Sequence, residues 1–448
     1  MMMISKLPFS QLSQSLCRVA LAAAVVAALA VPAGQRAAAD ELQLAQAERQ
    51  QPQPRAQPQR PPQQQQRQQG RRPPQPAPQQ TPQQAQQAVP GAGAETTARQ
   101  AIVLDFQTGA IMFDRASTER MPPSSMTKML TLYVIFEALR EGRLSLTDEL
   151  PVSERAWRMQ GSKMFVMVGT RVKVDDLLRG VIVQSGNDAC IVFAEALSGS
   201  EEAFAEVMNA TARRIGLTDS NFRNASGWPD NEHYSTARDL ATLARRLITD
   251  FPEYYPLFSE RSFTYNNITQ PNRDPLLGRS PGADGLKTGH TDAGGYGLTA
   301  SAIRDNRRVI LVINGLATMR ARSEESERLI DWAYREYANY TLFRAGAPVE
   351  RADVWMGQSP DVPLVASRDI VVTLPRRTRP QLRVTAVYDQ PVRAPIRQGQ
   401  EIGRLVVNAP GIDPAELPLI AGADVDRLGP MGRVSAQIGQ LLWGARRQ

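Results

Sequence analysis

Apolar residues fall along this chain in blocks of different period, and each period predicts a different kind of element. From Val19 to Val31 they run almost continuously, with Lys6 and Arg18 ahead and Ala37-Ala38-Ala39 behind. That layout predicts a secretory signal peptide over residues 1–39, with Asp40 as the first mature residue. The run is too short and too rich in alanine to make a comfortable membrane span. From about Leu44 to Glu95 apolar residues thin out, and Gln and Pro dominate. Such a stretch cannot bury enough surface to offset ordering entropy, so residues 40–98 are expected to form an extended, disordered tether.

Order is expected from Arg99 onward. Ala101–Phe106 and Ala110–Phe113 read as two strands around a hairpin at Gln107-Thr108-Gly109. Pro122-Pro123 forces an extended approach, after which Ser124-Ser125 opens a helix carrying Met129, Leu130, Val134, Ile135, Ala138 and Leu139. Helical periods recur at Val174–Val183, Ala203–Ile215 and Thr236–Ile248. Tyr296–Ala302 and Val309–Ile313 read as antiparallel strands with a turn at Arg304-Asp305-Asn306, and a closing helix is expected from about Ser323 to Tyr340. Strands at both ends of this block and helices between them predict an α+β domain over residues 99–345, its one sheet assembled from both ends. Short alternating strands at Ile370–Leu374, Leu382–Tyr388 and Ile402–Val407 predict a small all-β domain over residues 346–424. Residues 425–448 turn helical, with Met431, Val434, Ile438, Leu441, Leu442 and Trp443 clustered near Arg433, Arg446 and Arg447. That composition suits an amphipathic helix lying in a membrane interface, the alternative being a helix packed on its own β domain.

Composition changes this picture in three places. The 448 residues have room for two domains and tails, and 42% of them are hydrophobic, enough for a substantial core. The net charge of +7 is carried by the leader and tether: removing Lys6, Arg18, Arg36, Arg55, Arg60, Arg67, Arg71 and Arg72 leaves about −1. A basic face for nucleic acid is therefore not expected. Cys17 leaves with the leader, so Cys190 remains alone and no internal disulfide is possible; it sits in an apolar helical run, Ala189–Ala196, and reads as core. Export sets aside cytosolic cofactors. With His233 and His290 as the only histidines, a multi-histidine metal site is not expected, and His233, in a polar loop, reads as a surface residue.

Lysine is scarce. Only Lys6, Lys128, Lys163, Lys173 and Lys287 stand among 52 basic residues. Arginine stays charged at any working pH, whereas a lysine amine can be pushed neutral and then act as a base. In Ser125-Met126-Thr127-Lys128, residues three apart on a helix share a face, so the amine can reach the Ser125 hydroxyl and activate it. The helix start also leaves backbone N–H groups free for a developing oxyanion. By the same spacing Ser124 is not the nucleophile, because Thr127 stands three residues on. Alone, this pattern occurs by chance in many chains. Two further motifs sharpen it. Ser185-Gly186-Asn187 follows the apolar stretch Leu177–Val183, and Lys287-Thr288-Gly289 stands in a strand-like segment where Gly289 would let a ligand approach the backbone.

These motifs, in this order, resemble the low-molecular-mass penicillin-binding proteins that act as serine D-alanyl-D-alanine carboxypeptidases. The likeness extends to Pro123–Met129, Gln184–Cys190, Gly285–Asp292, the Gly161-Ser162 loop, Tyr234–Asp239 and the β domain with its amphipathic tail. The Gln/Pro tether departs from the pattern. The resemblance implies a β-lactamase/transpeptidase-like fold, a central antiparallel sheet with helices on both sides. It implies Ser125 as nucleophile and Lys128 as general base, with Ser185 passing a proton to the departing D-Ala and Asn187 orienting substrate and base. Lys287, Thr288 and Arg322 would hold the terminal carboxylate, and backbone N–H groups of Ser125 and His290 would form the oxyanion hole. No metal or cofactor is implied; the partners are peptidoglycan stem peptides, β-lactams as inhibitors, and a membrane surface on the outer face of the inner membrane. On this account the His290 imidazole is structural, and Arg322 could instead make an ordinary salt bridge at a helix start. A second lysine near Lys128 should depress its pKa.

Three rivals stay open: a D,D-endopeptidase cutting cross-links with the same chemistry, a β-lactamase, and a catalytically silent peptidoglycan-binding scaffold. Ala156–Gly169, ahead of the helix leading to Ser185, holds no glutamate of the kind a class A β-lactamase uses on its deacylating water. A purely binding protein has no need of a base beside a serine.

Overall fold

The computed structural model describes residues 93–410, 412, 414–432 and 434. The expected signal peptide and nearly all of the Gln/Pro tether lie outside them, as does the C-terminal segment beyond Val434. Residues 430–432 and 434 are helical, whereas Val425 and Arg427, expected in that helix, pair with Ile396 and Gly357 of the β domain.

Apart from two short antiparallel pairs, β3 (Glu149–Pro151) with β4 (Arg171–Lys173) and β5 (Ser262–Tyr265) with β6 (Ile268–Pro271), strands β1 (Gln100–Asp105) and β2 (Ile111–Arg115) form the expected hairpin, and β7 (Ala283–Thr291), β8 (Gly295–Arg304) and β9 (Arg307–Leu316) arrive much later in the chain. Together they make one antiparallel sheet in the order β2-β1-β9-β8-β7. Side chains alternate across its faces with the period of a strand. Ile102, Leu104, Ile310 and Val312 enter one hydrophobic cluster, and Ala101, Val103, Val309, Leu311 and Ile313 enter another. The first cluster is shared with helices α1 (Lys128–Arg140), α2 (Val174–Ile182), α3 (Asn187–Ser198), α4 (Glu201–Arg214) and α5 (Ala237–Asp250). The second is closed by α6 (Met319–Glu336) through Leu329, Ile330, Trp332 and Ala333. Helices thus cover both faces of the sheet. Most of α1 is buried, which is why its apolar residues run nearly all round.

The closing helix stops at Glu336, not Tyr340. Tyr337–Phe343 is a strand, β10, paired antiparallel with Ile370–Pro375. The β segment that follows forms a six-stranded sheet around a separate core that includes Val362, Leu364, Leu405, Val407 and Leu419.

Candidate active site

Three segments from distant parts of the chain meet at one end of the sheet. The first is the turn that carries Ser125. Pro122-Pro123 leads into Ser124, whose φ of 49° is unusual for a non-glycine residue, and Ser124–Thr127 forms a single 3-10 turn running straight into α1. This turn is moored to β7: the Ser124 and Thr291 hydroxyls lie 3.0 Å apart. Gly289 permits the closeness, since a Cβ there would stand 2.9 Å from the Pro123 carbonyl oxygen and 3.3 Å from Ser124 Cβ. The close approach observed at Gly289 is that of the Ser124–Thr127 turn.

Lys128 is fully buried, and its amine has three partners. Nζ lies 2.9 Å from Ser125 Oγ, 2.7 Å from Asn187 Oδ1 and 2.6 Å from the Ser226 carbonyl oxygen. Burial, helped by the Arg273 charge, lowers its pKa from 10.5 to about 8. The lysine three residues after the serine is thus in contact with it, as the spacing predicts.

The second segment is the Ser185-Gly186-Asn187 loop at the start of α3. Ser185 takes a φ of 59° and is buried, and Asn187 donates through Nδ2 to the Gln160 carbonyl at 2.8 Å while its Oδ1 receives Lys128. Both ends of the amide are therefore committed. Asp188, fully buried, accepts from the backbone N–H groups of Met164, Phe165 and Val166, tying the neighbouring loop to the site. In that loop Gly161 leaves room for Asn187 Nδ2 and the Trp228 ring, which would stand 2.8 and 3.0 Å from a Cβ.

The third segment is β7. Lys287 is buried and donates to Ser185 Oγ at 3.0 Å. Its amine is held well below the ordinary lysine range, by burial first and then by the charges of Lys128 and Arg273. Thr288 follows, also buried. The His290 side chain is exposed, its ring 4.0 Å from that of Tyr296. Arg322, from the first turn of α6, is buried with its guanidinium 5.8 Å from the Tyr296 ring and Nη2 donating to the Arg273 carbonyl at 3.4 Å. It makes no ion pair among the described residues, and its Nε is buried without a partner. A guanidinium so placed is not in a helix-start salt bridge, although the buried Asp274 carboxylate is near enough to offset part of the effect of burial on it.

Several contributors had no signal in the sequence reading. Arg273, whose guanidinium bonds the Ser162 hydroxyl, adds positive charge beside both lysines. Asn224 Oδ1 accepts from the backbone N–H groups of Ser226, Gly227 and Trp228, shaping the turn that offers the Ser226 carbonyl to Lys128. The turn chemistry of Asn224-Ala225-Ser226-Gly227 was the one available hint. His233, expected at the surface, is 5% exposed and bonded to Thr127. Its polar chain neighbours belong to a loop folded back over the ring. Cys190 is core, as expected, with burial pushing its thiol up to about 12.

The described arrangement is a serine hydroxyl against a buried, easily neutralised amine, beside a second hydroxyl–amine pair and an unpaired arginine. Comparison with known proteins agrees with that chemistry. A family model described as D-alanyl-D-alanine carboxypeptidase matches residues 82–318, and one described as penicillin-binding protein 5, C-terminal domain, matches residues 337–427. D-alanyl-D-alanine carboxypeptidase DacC of Escherichia coli K12 is 38% identical over 75% of this chain and 86% of its own. Penicillin-binding protein 5 of Haemophilus influenzae superposes with a TM-score of 0.69 at 37% identity, over 75% of this chain and 99% of its own. Penicillin-binding protein D2 of Listeria monocytogenes in its ampicillin-bound form gives a TM-score of 0.50 at 27% identity, over 53% of this chain and 98% of its own.

Proposed function

The chain belongs to the D-alanyl-D-alanine carboxypeptidase family of serine peptidases, and from that premise we propose that Ser125 is the nucleophile with which it removes the terminal D-Ala from peptidoglycan stem pentapeptides. The observation carrying this reading is the environment of Lys128. With a pKa of about 8, roughly a tenth of the amine is neutral at pH 7, against roughly 0.03% for an ordinary lysine at 10.5. A neutral amine has two N–H bonds and one lone pair. Asn187 Oδ1 and the Ser226 carbonyl oxygen can only accept, so they take the two N–H bonds and the lone pair is left facing Ser125.

The reaction then proceeds as follows. Lys128 takes the Ser125 proton while Oγ bonds to the carbonyl carbon between the two D-alanines. The oxyanion forms against the backbone N–H groups of Ser125 and His290. As the C–N bond breaks, Ser185, itself held by Lys287, gives its proton to the departing amine and takes up in its place the one Lys128 gained from Ser125, so both groups end as they began. Lys287, Thr288 and Arg322 hold the carboxylate of the substrate, and water then cleaves the ester to free Ser125. A β-lactam ring is opened by the same attack and leaves slowly, which makes β-lactams inhibitors.

The exported protein is proposed to work at the outer face of the inner membrane, with the segment from Pro430 onward on the lipid surface, since Val425 and Arg427 are paired into the β domain. No helix among the described residues is long and apolar enough to cross a membrane. Deleting Pro430–Gln448 should move the protein into the soluble fraction; unchanged partitioning would assign the anchor elsewhere.

The defining experiment is product analysis of the mature protein with monomeric pentapeptide and with cross-linked muropeptide dimers. Free D-Ala from the pentapeptide, absent with Ser125→Ala, is the expected result. Monomers released from dimers would make it an endopeptidase, and no turnover of either would leave the scaffold reading.

A further inference from the structure

We propose that His233 is a positioning residue for the catalytic base, clamping the loop that carries Ser226 onto the nucleophile turn and so aiming the lone pair of Lys128 at Ser125. The ring is buried against Phe222, edge to face at 5.5 Å, and both of its nitrogens are used. Nδ1 accepts the backbone N–H of Arg223 at 3.1 Å, which fixes the hydrogen on Nε2. Nε2–H then donates to Thr127 Oγ1, 2.8 Å away. Thr127 stands between Ser125 and Lys128 in the chain and is itself fully buried.

The two ends of this clamp are the two supports of the base. On one side is the turn from which both Ser125 and Lys128 project. On the other is the segment that, three residues after Arg223, offers the Ser226 carbonyl to Nζ at 2.6 Å. Asn224 makes that segment move as a unit, its Oδ1 binding three successive N–H groups. Gly227 brings the unit against the Ser124 carbonyl, where a Cβ would collide. Thr131 and Glu201 also bond Ala225, so releasing the ring loosens the Arg223 end of the segment and lets the Ser226 carbonyl shift in its aim at Nζ. The amine keeps its bond to Asn187, but nothing then decides whether its lone pair or an N–H faces the serine. Transfer of the serine proton slows, whereas the Lys287–Arg322 side of the cleft, which takes the ligand carboxylate, is untouched.

The inference rests on Ser125 and Lys128 as nucleophile and base, and the two can fail separately. Labelling of Ser125→Ala by fluorescent penicillin would remove that assignment; a silent Ser125→Ala with an unimpaired His233→Ala would remove only the clamp. The experiment measures penicillin acylation of the mature protein, separating the binding constant from the acylation rate constant. For His233→Ala the rate constant is expected to fall by roughly 10- to 100-fold, with the binding constant within about twofold. His233→Gln presents an acceptor and a donor at similar spacing and should recover most of the rate. Thr127→Val, which keeps the ring, should cost about as much as His233→Ala. Combining the two should cost no more than one alone. Thr127→Val acylating at the wild-type rate would overturn the proposal even if His233→Ala does not fold. A loss in His233→Ala that His233→Gln does not recover would overturn it as well.

Discussion

Replacing Lys128 by methionine tests whether the fold itself holds the active-site amine ready to act as a base. The amine titrates at about 8 in the folded protein against 10.5 for an ordinary lysine, and it is fully buried. Its folded pKa is lowered, so between these two values the unfolded chain carries a proton that the folded chain does not. Stability should therefore rise with pH across that window. The gap corresponds to ~3.4 kcal/mol, of which about 2.5 kcal/mol is expressed between about pH 7 and pH 10. Methionine has similar reach and never ionises, so subtracting its stability from that of the wild type cancels groups that titrate alike in both. The assay is equilibrium urea unfolding of both proteins at closely spaced pH values. The wild type should gain about 2.5 kcal/mol on the variant over that range, with a flat difference below about pH 7. An independent reading comes from kinetics. Wild-type acylation by penicillin should climb about tenfold per pH unit and level off near 8. A stability difference that does not change with pH, or an acid limb centred near 10.5, would refute the argument that burial supplies the base.

Other consequences can be checked separately. Gly227→Ala, at a φ of 78° and with the Ser124 carbonyl in the way, should slow penicillin acylation by roughly 100-fold. Gly142→Ala, at 71° with nothing within 4 Å, should cost only about 1 kcal/mol of stability in urea and leave acylation intact. Arg322→Ala should raise KM for the pentapeptide by roughly tenfold or more, and should abolish the preference for a free carboxylate over a C-terminal amide in a competition assay. Lys287 is held below the ordinary lysine range in the ligand-free site by burial and by the neighbouring cations, so an incoming carboxylate should raise its pKa. Calorimetric titration of Ser125→Ala with pentapeptide over a series of pH values, in buffers of different ionisation enthalpy, should show net proton uptake across the range in which the free and bound pKa values differ. A buffer-independent enthalpy would speak against it.

The candidate reactive groups were legible in the sequence because their chemistry is tied to residue type and to local spacing. Ser125 and Lys128 share a helix face, and a lysine in a chain that otherwise uses arginine invites a reason. The sheet was legible for a similar reason: hairpin and strand signals at both ends of the domain leave few ways to pair. What could not be read depends on contacts between distant segments. The helical period continues past Glu336, yet Tyr337 turns extended because its hydroxyl reaches the Met112 carbonyl and its backbone pairs with Pro375. His233 sits between polar neighbours, and only the return of its loop onto Thr127 buries it.

Ser226 shows the limit most clearly. Its contribution is a carbonyl oxygen that every residue possesses, so no residue type could have announced it. Yet an oxygen that can only accept is what the base requires. A hydroxyl in its place could donate to Nζ and occupy the lone pair that Ser125 needs. Pairing the amine with one side-chain oxygen and one backbone oxygen, neither carrying a hydrogen, decides the direction of proton transfer before any substrate arrives. A carboxylate would also only accept, but its charge would stabilise the ammonium and raise the pKa that burial has lowered. Neutral acceptors orient the base without recharging it, which is why the side-chain amide of Asn187 and a main-chain carbonyl are suited to these two positions.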